Sequence, residues 1–479
     1  MARILLLSEL LILYFLYTFS PTVYNPGFCT GVLVLVAIAI LTTGFHIKRY
    51  TPDIHHRVFR PAYLFFIAFF IVNFQVFIDL LVGNLSPDHR VFVGSDNINK
   101  GVIFSSISFI SLLYGYICTN KGYKTYNRIY YFKNSTIKAI AWLSVVLLWL
   151  FIKECGLTNL ISGNIYKNLG DINLDTTVRS EVILRILFAA EIIMISYKLR
   201  NNKTALSAIN FVRQFPISFI ITYSIYIALR LLSGVRSSVI SSLLLIAFAY
   251  VFANRSTIRN WIAITTACIM AISLSIIGIA RGLIENYSIT DKYSVAKEIF
   301  SDRMTSISPW TKELANSVFC NQVAIDLAKA DPAIFRYGFF QLNYILRFFV
   351  PGLILDSAHL IPKEDTSSAI FLTISRYGYD ATSGLGTTIN ADFFLDFGII
   401  GMVFCLFGIG VFLKKIDLTI FANSGMGRQL SIMAAAIVII MSANVVYLPR
   451  SALLPALRSA IYTIIFLYIL SSKKSSRPC

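Results

Sequence analysis

The chain has 479 residues, 56% of them apolar and only 14% charged, and its mean hydropathy is +0.70. A soluble fold of this length cannot bury so large an apolar fraction, which excludes a soluble globular enzyme and points to a polytopic membrane protein solvated by a bilayer. The formal charge of +18 reads as loop lysine and arginine that set topology, not as a nucleic-acid footprint, because the basic residues collect between apolar runs.

A bilayer core of about 30 Å needs roughly 20 apolar residues per helix. In chain order, segments near 4–20, 28–46, 62–82, 101–119, 137–153, 179–197, 215–233, 237–253, 261–280, 393–413, 429–447 and 452–470 meet that test, so an all-α protein with about twelve transmembrane helices is predicted. The first follows Arg3 and ends in "TFSPT" without a small-residue cleavage site, and is read as a retained span. The loops containing "HIKRY", "NKGYKTYNRIYYFKNSTIK", "YKLRNNK", "NRSTIR" and "LKKIDL", and the tail "SSKKSSR", are basic and alternate with acidic or neutral loops. Both termini are therefore expected in the cytoplasm. Three parts follow: residues 1–280 as an N-terminal bundle of about nine spans, 281–391 as a large outer loop, and 392–479 as three spans and a tail.

A structureless loop of that length is unusual, so residues 281–391 are expected to fold as a cap. "SPWTKELANSVFCNQVAIDLAKADP" reads as a helix from Ser308-Pro309 to just before Pro332. "YGFFQLNYILRFFVPG" (337–352) is too short to span and suits an interfacial or re-entrant segment. Of the seven cysteines, Cys155 and Cys320 fall in loops assigned to the outer face, where a disulfide and two free thiols are both open.

Arginine is unexpectedly placed. Arg185, Arg230, Arg236, Arg281 and Arg450 map to the outer third or outer mouth of a span, and Arg336, Arg347 and Arg376 fall in the cap. Guanidinium keeps its charge when partly desolvated and grips phosphate oxygens bidentately, so this set suits an anionic ligand at headgroup depth. The alternative is snorkelling, or pairing with Glu181, Glu191 or Asp79. Glu9 and Asp79, both inside apolar segments, could instead mark a proton pathway.

"GLGTTINADFFLDFGIIG" (384–401) sets Asp392 and Asp396 four apart at the head of the tenth span. One carboxylate could serve as a general base while the other pairs with arginine. Equally, both could favour a helix N-terminus for which Thr387, Thr388 and Asn390 supply caps. Gly384, Gly386 and Thr387 form either a plain turn or a backbone anion nest. His359 in "DSAHLIPKED" is the one histidine of the cap and a second candidate base. No spacing suggests a zinc or divalent-cation site.

Taken together, "SGVRSS" (233–238) between two spans, a large late outer loop, "GLGTTINADFFLDFGIIG" and "YLPRSAL" (447–453) before the last span resemble Wzy-type O-antigen polymerases. "FFVPGLILDSAHLIPKED" (348–365) resembles a loop segment in which relatives carry Ile-Pro-Arg. Here Gly352 takes the arginine position and Glu364 follows Pro362-Lys363, while Asp392 stands where relatives usually carry glutamate. The resemblance implies a GT-C-like membrane-embedded glycosyltransferase of the bacterial inner membrane. It would move a growing glycan from undecaprenyl pyrophosphate onto the next lipid-linked repeat unit at the periplasmic face. Metal-independent chemistry without a cofactor, and a chain-length regulator protein as partner, are implied with it. O-antigen ligase, with transfer to lipid A–core, and lipid-linked oligosaccharide flippase are the alternatives.

Overall fold

The computed structural model describes residues 1–50, 59–89, 91–119, 130–162, 174–201, 206–233, 235–254, 311–349, 362–379, 384–421 and 431–473, plus a few isolated positions. These residues are helical except for turns, loops and one two-residue antiparallel pairing, Tyr130–Tyr131 with Ser472–Lys473. Seven of the helices are long and apolar enough to cross a membrane. Helices lie at eleven of the twelve segments expected to span; the ninth, 261–280, falls almost wholly outside the described residues.

The chain divides into two compact units. The first takes Met1–Gly122, Ser306–Leu418 and Val445–Ala456, and the second Tyr123–Thr305, Thr419–Asn444 and Leu457–Cys479.

In the first unit, α1 (Ala2–Thr18), α2 (Pro26–Tyr50) and α3 (Pro61–Leu81) pack around α4 (Ile98–Cys118). Four phenylalanines of α3, Phe66, Phe69, Phe70 and Phe74, surround Phe109 of α4, with Phe69 stacked on it at 5.5 Å. The segment expected as a cap contributes α9 (Val318–Ala330), α10 (Phe339–Phe349) and α11 (Ser368–Tyr377), and the long α12 (Ile389–Phe421) follows. Glycines let α12 cross α4 backbone to backbone: a Cβ on Gly115 would lie 2.0 Å from the Phe407 carbonyl, and one on Gly410 2.1 Å from the Leu112 carbonyl. Without an aqueous hydrophobic drive between membrane helices, such close approach is what gives them packing energy.

The second unit is a bundle of α5 (Asn134–Cys155), α6 (Leu174–Asn201), α7 (Ile217–Leu232), α8 (Arg236–Asn254), α13 (Ile432–Asn444) and most of α14 (Leu453–Leu470). Phe188 of α6 meets Phe219, Tyr223 and Tyr226 of α7. Arg200 closes two helix ends at once, donating to the carbonyls of Phe252, Thr419 and Ile420 that have no partner further along their helices.

Two expectations shift. α13 ends at Asn444, short of the expected 447, and the chain then turns into a 3-10 segment at Leu448–Arg450 that holds Pro449. The helix expected over 308–331 is interrupted at Asn316–Ser317, where a turn separates Lys312–Ala315 from α9. Its expected end before Pro332 is kept.

Candidate functional site

The site grows from a break in α12. Gly398 has φ +66 and ψ −172, which no L-residue adopts without strain, and it divides the helix into a short head, 389–397, and a long apolar body. Carbonyls before such a break lose the amides one turn ahead. Here the cap supplies them: the Arg336 N–H donates to Leu395 O at 2.8 Å and the Gly338 N–H to Asp396 O at 3.2 Å. Tyr337 and Gly338 take consecutive left-handed conformations, φ +47 and +88, to present that edge. The contact is reciprocal. The Asp396 carboxylate accepts the Phe340 N–H at 3.1 Å and the Gln341 N–H at 3.0 Å, capping the first turn of α10.

Asp396 is thus a cap for a neighbouring helix, and among the described residues it has no arginine partner, contrary to the expected pairing. Asp392 lies in the first turn of its own helix, as the alternative has it, and the cap there is a threonine. Thr388 accepts the Ala391 N–H at 3.1 Å.

Asp392 is fully buried and gathers three side-chain donors: Ser368 Oγ at 2.5 Å, Gln341 Nε2 at 2.8 Å and the Tyr344 hydroxyl at 3.3 Å. Ser368 Oγ also lies 3.2 Å from Thr387 Oγ1, which draws the expected loop threonine into the same cluster. Burial and the adjacent carboxylate push the Tyr344 hydroxyl far above its ordinary pKa, so it stays a donor.

Beneath this cluster a second buried network fixes the head of α12. Asn73 Oδ1 accepts from Asn321 and from Asn390, each at 2.8 Å, and Thr388 donates to Asn321 Oδ1. One asparagine inside the apolar α3 therefore ties α3, α9 and α12 together.

The cap arginines of the first unit are individually placed. Arg336 pairs with Asp365 at 3.1 Å, stacks over Phe371 at 4.9 Å, and keeps about a third of its side chain exposed. Asn343 of α10 fixes the Asp365 segment, donating to Thr366 O at 2.6 Å. Arg376 is exposed and lies over Phe319, Arg347 is half-buried on α10, and Arg450 is exposed in the 3-10 turn. In the second unit, Arg230 is buried over Phe151 and ion-paired to Glu181, so the pairing alternative is the one realised there. Arg236 begins α8. Arg281, His359 and Gly352 lie outside the described residues.

The expected anion nest is partly spent. Gly386 does adopt φ +79, but the Leu385 N–H donates to Thr373 Oγ1 at 2.9 Å and the Leu385 carbonyl lies 3.6 Å from Cys320 Sγ. Gly384 is exposed at the start of this loop. Cys155 and Cys320 are both free thiols, and burial raises Cys320 to about 12, which leaves it unreactive. Glu9 is buried at the middle of α1, and Asp79 accepts from Asn84 at 3.3 Å at the end of α3. Among the described residues, no three His, Cys, Asp or Glu side chains are grouped as a metal site requires.

Sequence reasoning singled out Asp392, Asp396, Thr387 and Arg336 but missed Gln341, Tyr344, Ser368 and the asparagine network. Asn73 carried a usable signal, since a polar amide inside a 21-residue apolar helix needs a buried partner. The three donors to Asp392 carried none, because two helices of the cap bring them there. Compared with family models, with curated proteins and with solved structures, the chain matches none.

Proposed function

We propose that the protein is a membrane-embedded glycosyltransferase of the O-antigen polymerase type, acting at the periplasmic face of the bacterial inner membrane. The observation that carries this reading is the broken head of α12. It holds a fully buried carboxylate among three donors and shares backbone hydrogen bonds with the segment bearing Arg336. Irregular backbone and buried charge within a membrane protein persist where they line a site, and discontinuous helices recur at substrate sites in such proteins.

In the proposed reaction the bond between the donor sugar's anomeric carbon and the pyrophosphate oxygen breaks. The electron pair leaves on undecaprenyl pyrophosphate, and the acceptor hydroxyl of the next lipid-linked repeat forms the new glycosidic bond. Arginines stabilise the leaving pyrophosphate, which is already acidic and needs no proton. Arg336, Arg347, Arg376 and Arg450 are the candidates of the first unit. Arg236, Arg281 and Arg230 are the candidates that the sequence offers in the second unit, with Arg230 demoted by its ion pair to Glu181. Asp392 takes the acceptor proton, which requires the acceptor hydroxyl to replace one of its three present donors. His359 is the second candidate base. The partners are the two lipid-linked glycans, the membrane, and a protein that sets chain length.

The lipopolysaccharide profile of a deletion strain tests the reading. A core capped by single repeat units supports polymerase. Unsubstituted core with accumulated lipid-linked polymer replaces it with ligase, and absence of outer-face repeat units replaces it with flippase.

A further inference from the structure

Five helices of the second unit, α6, α7, α8, α13 and α14, line a partly open cavity of about 50 Å³. Its polar lining is Arg185, Tyr223, Ser241, Ser242, Asn444, Ser459 and Thr463. Arg185 is the only charged residue in that lining, and no Asp or Glu among the described residues joins it. The natural counter-ion would be Glu181, one turn earlier on the same helix. That carboxylate is already engaged by Arg230 and by the Tyr226 hydroxyl at 2.9 Å. Arg185, half-buried, therefore brings a charge with no carboxylate partner among the described residues into a largely apolar helix bundle, where an anion would offset it.

The polar neighbours narrow the choice. Tyr223, Ser241 and Thr463 donate their hydroxyl hydrogens to the carbonyls of Ser242, Ser237 and Ser459 at 2.8, 2.6 and 2.8 Å. Asn444 uses one N–H on Ile440 O at 2.9 Å and retains the other. The guanidinium and that amide are donors that face a ligand here. A water needs about 10–15 Å³, so a cavity of about 50 Å³ has room for one oxyanion group. Guanidinium binds such oxygens bidentately.

We propose that this cavity is a binding site for one phosphate group, with Arg185 as its principal ligand. The group is either a lipid headgroup or free phosphate, and the site stands independently of the glycosyltransferase reading.

Thermal unfolding of the full-length protein tests it with two probes. One is inorganic phosphate at constant ionic strength in detergent. The other is phosphatidylglycerol added to phosphatidylcholine nanodiscs. The midpoint should rise with at least one probe: a response to inorganic phosphate assigns a free anion, and a response to phosphatidylglycerol alone assigns a headgroup. Arg185→Gln should weaken the apparent affinity by about tenfold or more. Thr463→Leu, which fills the cavity and keeps the arginine, should weaken it as well, and it decides the matter if Arg185→Gln does not fold. No response to either probe, or wild-type affinity in Thr463→Leu, overturns the proposal.

Discussion

At the residue scale, Asp392 and Asp396 look alike in sequence and do different work. Asp396 spends both oxygens on backbone amides of α10, so Asp396→Ala should cost about 1–2 kcal/mol of stability through a lost cap. Chemical unfolding in detergent measures that loss. Asp392 faces side chains only, and Asp392→Asn keeps its shape and one acceptor oxygen. As the base, this variant should lose about 100-fold or more in glycan transfer while losing only about 1 kcal/mol of stability. Normal transfer by a folded Asp392→Asn protein would leave the carboxylate an anchor alone. Gly398 is equally specific: an L-residue at φ +66 and ψ −172 is strained by about 1–3 kcal/mol, so Gly398→Ala should lower the thermal midpoint.

At the scale of elements, helix positions were legible because bilayer thickness makes apolar length a strong signal. The break in α12 was not. "GIIG" reads as part of an apolar run, and the tenth span was expected to run straight through 393–413. Only the cap, by supplying the Arg336 and Gly338 amides, makes a non-helical Gly398 tolerable. In the same way Asn321 and Ser368 gain meaning from helices distant in sequence.

The interfacial reading of 337–352 fits what α10 presents. Leu342, Ile345, Leu346 and Phe349 form an exposed apolar stripe at helical spacing, while Asn343 and Tyr344 face the site. A tryptophan in place of Phe349, which is 81% exposed, should be quenched by brominated lipids in nanodiscs. Quenching by aqueous iodide instead would set α10 in water. The crossing of α4 and α12 is tighter still: Gly115→Val would drive a side chain into the Phe407 carbonyl and should destabilise the protein by about 1–3 kcal/mol.

At the scale of the whole molecule, composition alone fixed the class, and seven helices long and apolar enough to cross a membrane agree with it. The proposed function rests on a resemblance in sequence, because a site of the proposed kind depends on a few polar groups that only tertiary contacts assemble. The central claim is therefore chemical: the purified protein joins lipid-linked repeats without a metal ion. The most direct measurement supplies it, in liposomes with excess chelator, with undecaprenyl-pyrophosphate-linked repeat units, and follows the lipid-linked products by mass spectrometry. The account predicts glycans that lengthen by whole repeats with release of undecaprenyl pyrophosphate, and little lengthening with Asp392→Asn or Arg336→Ala. Repeat units that stay single with the wild-type protein, or that move only when lipid A–core is added, would contradict it.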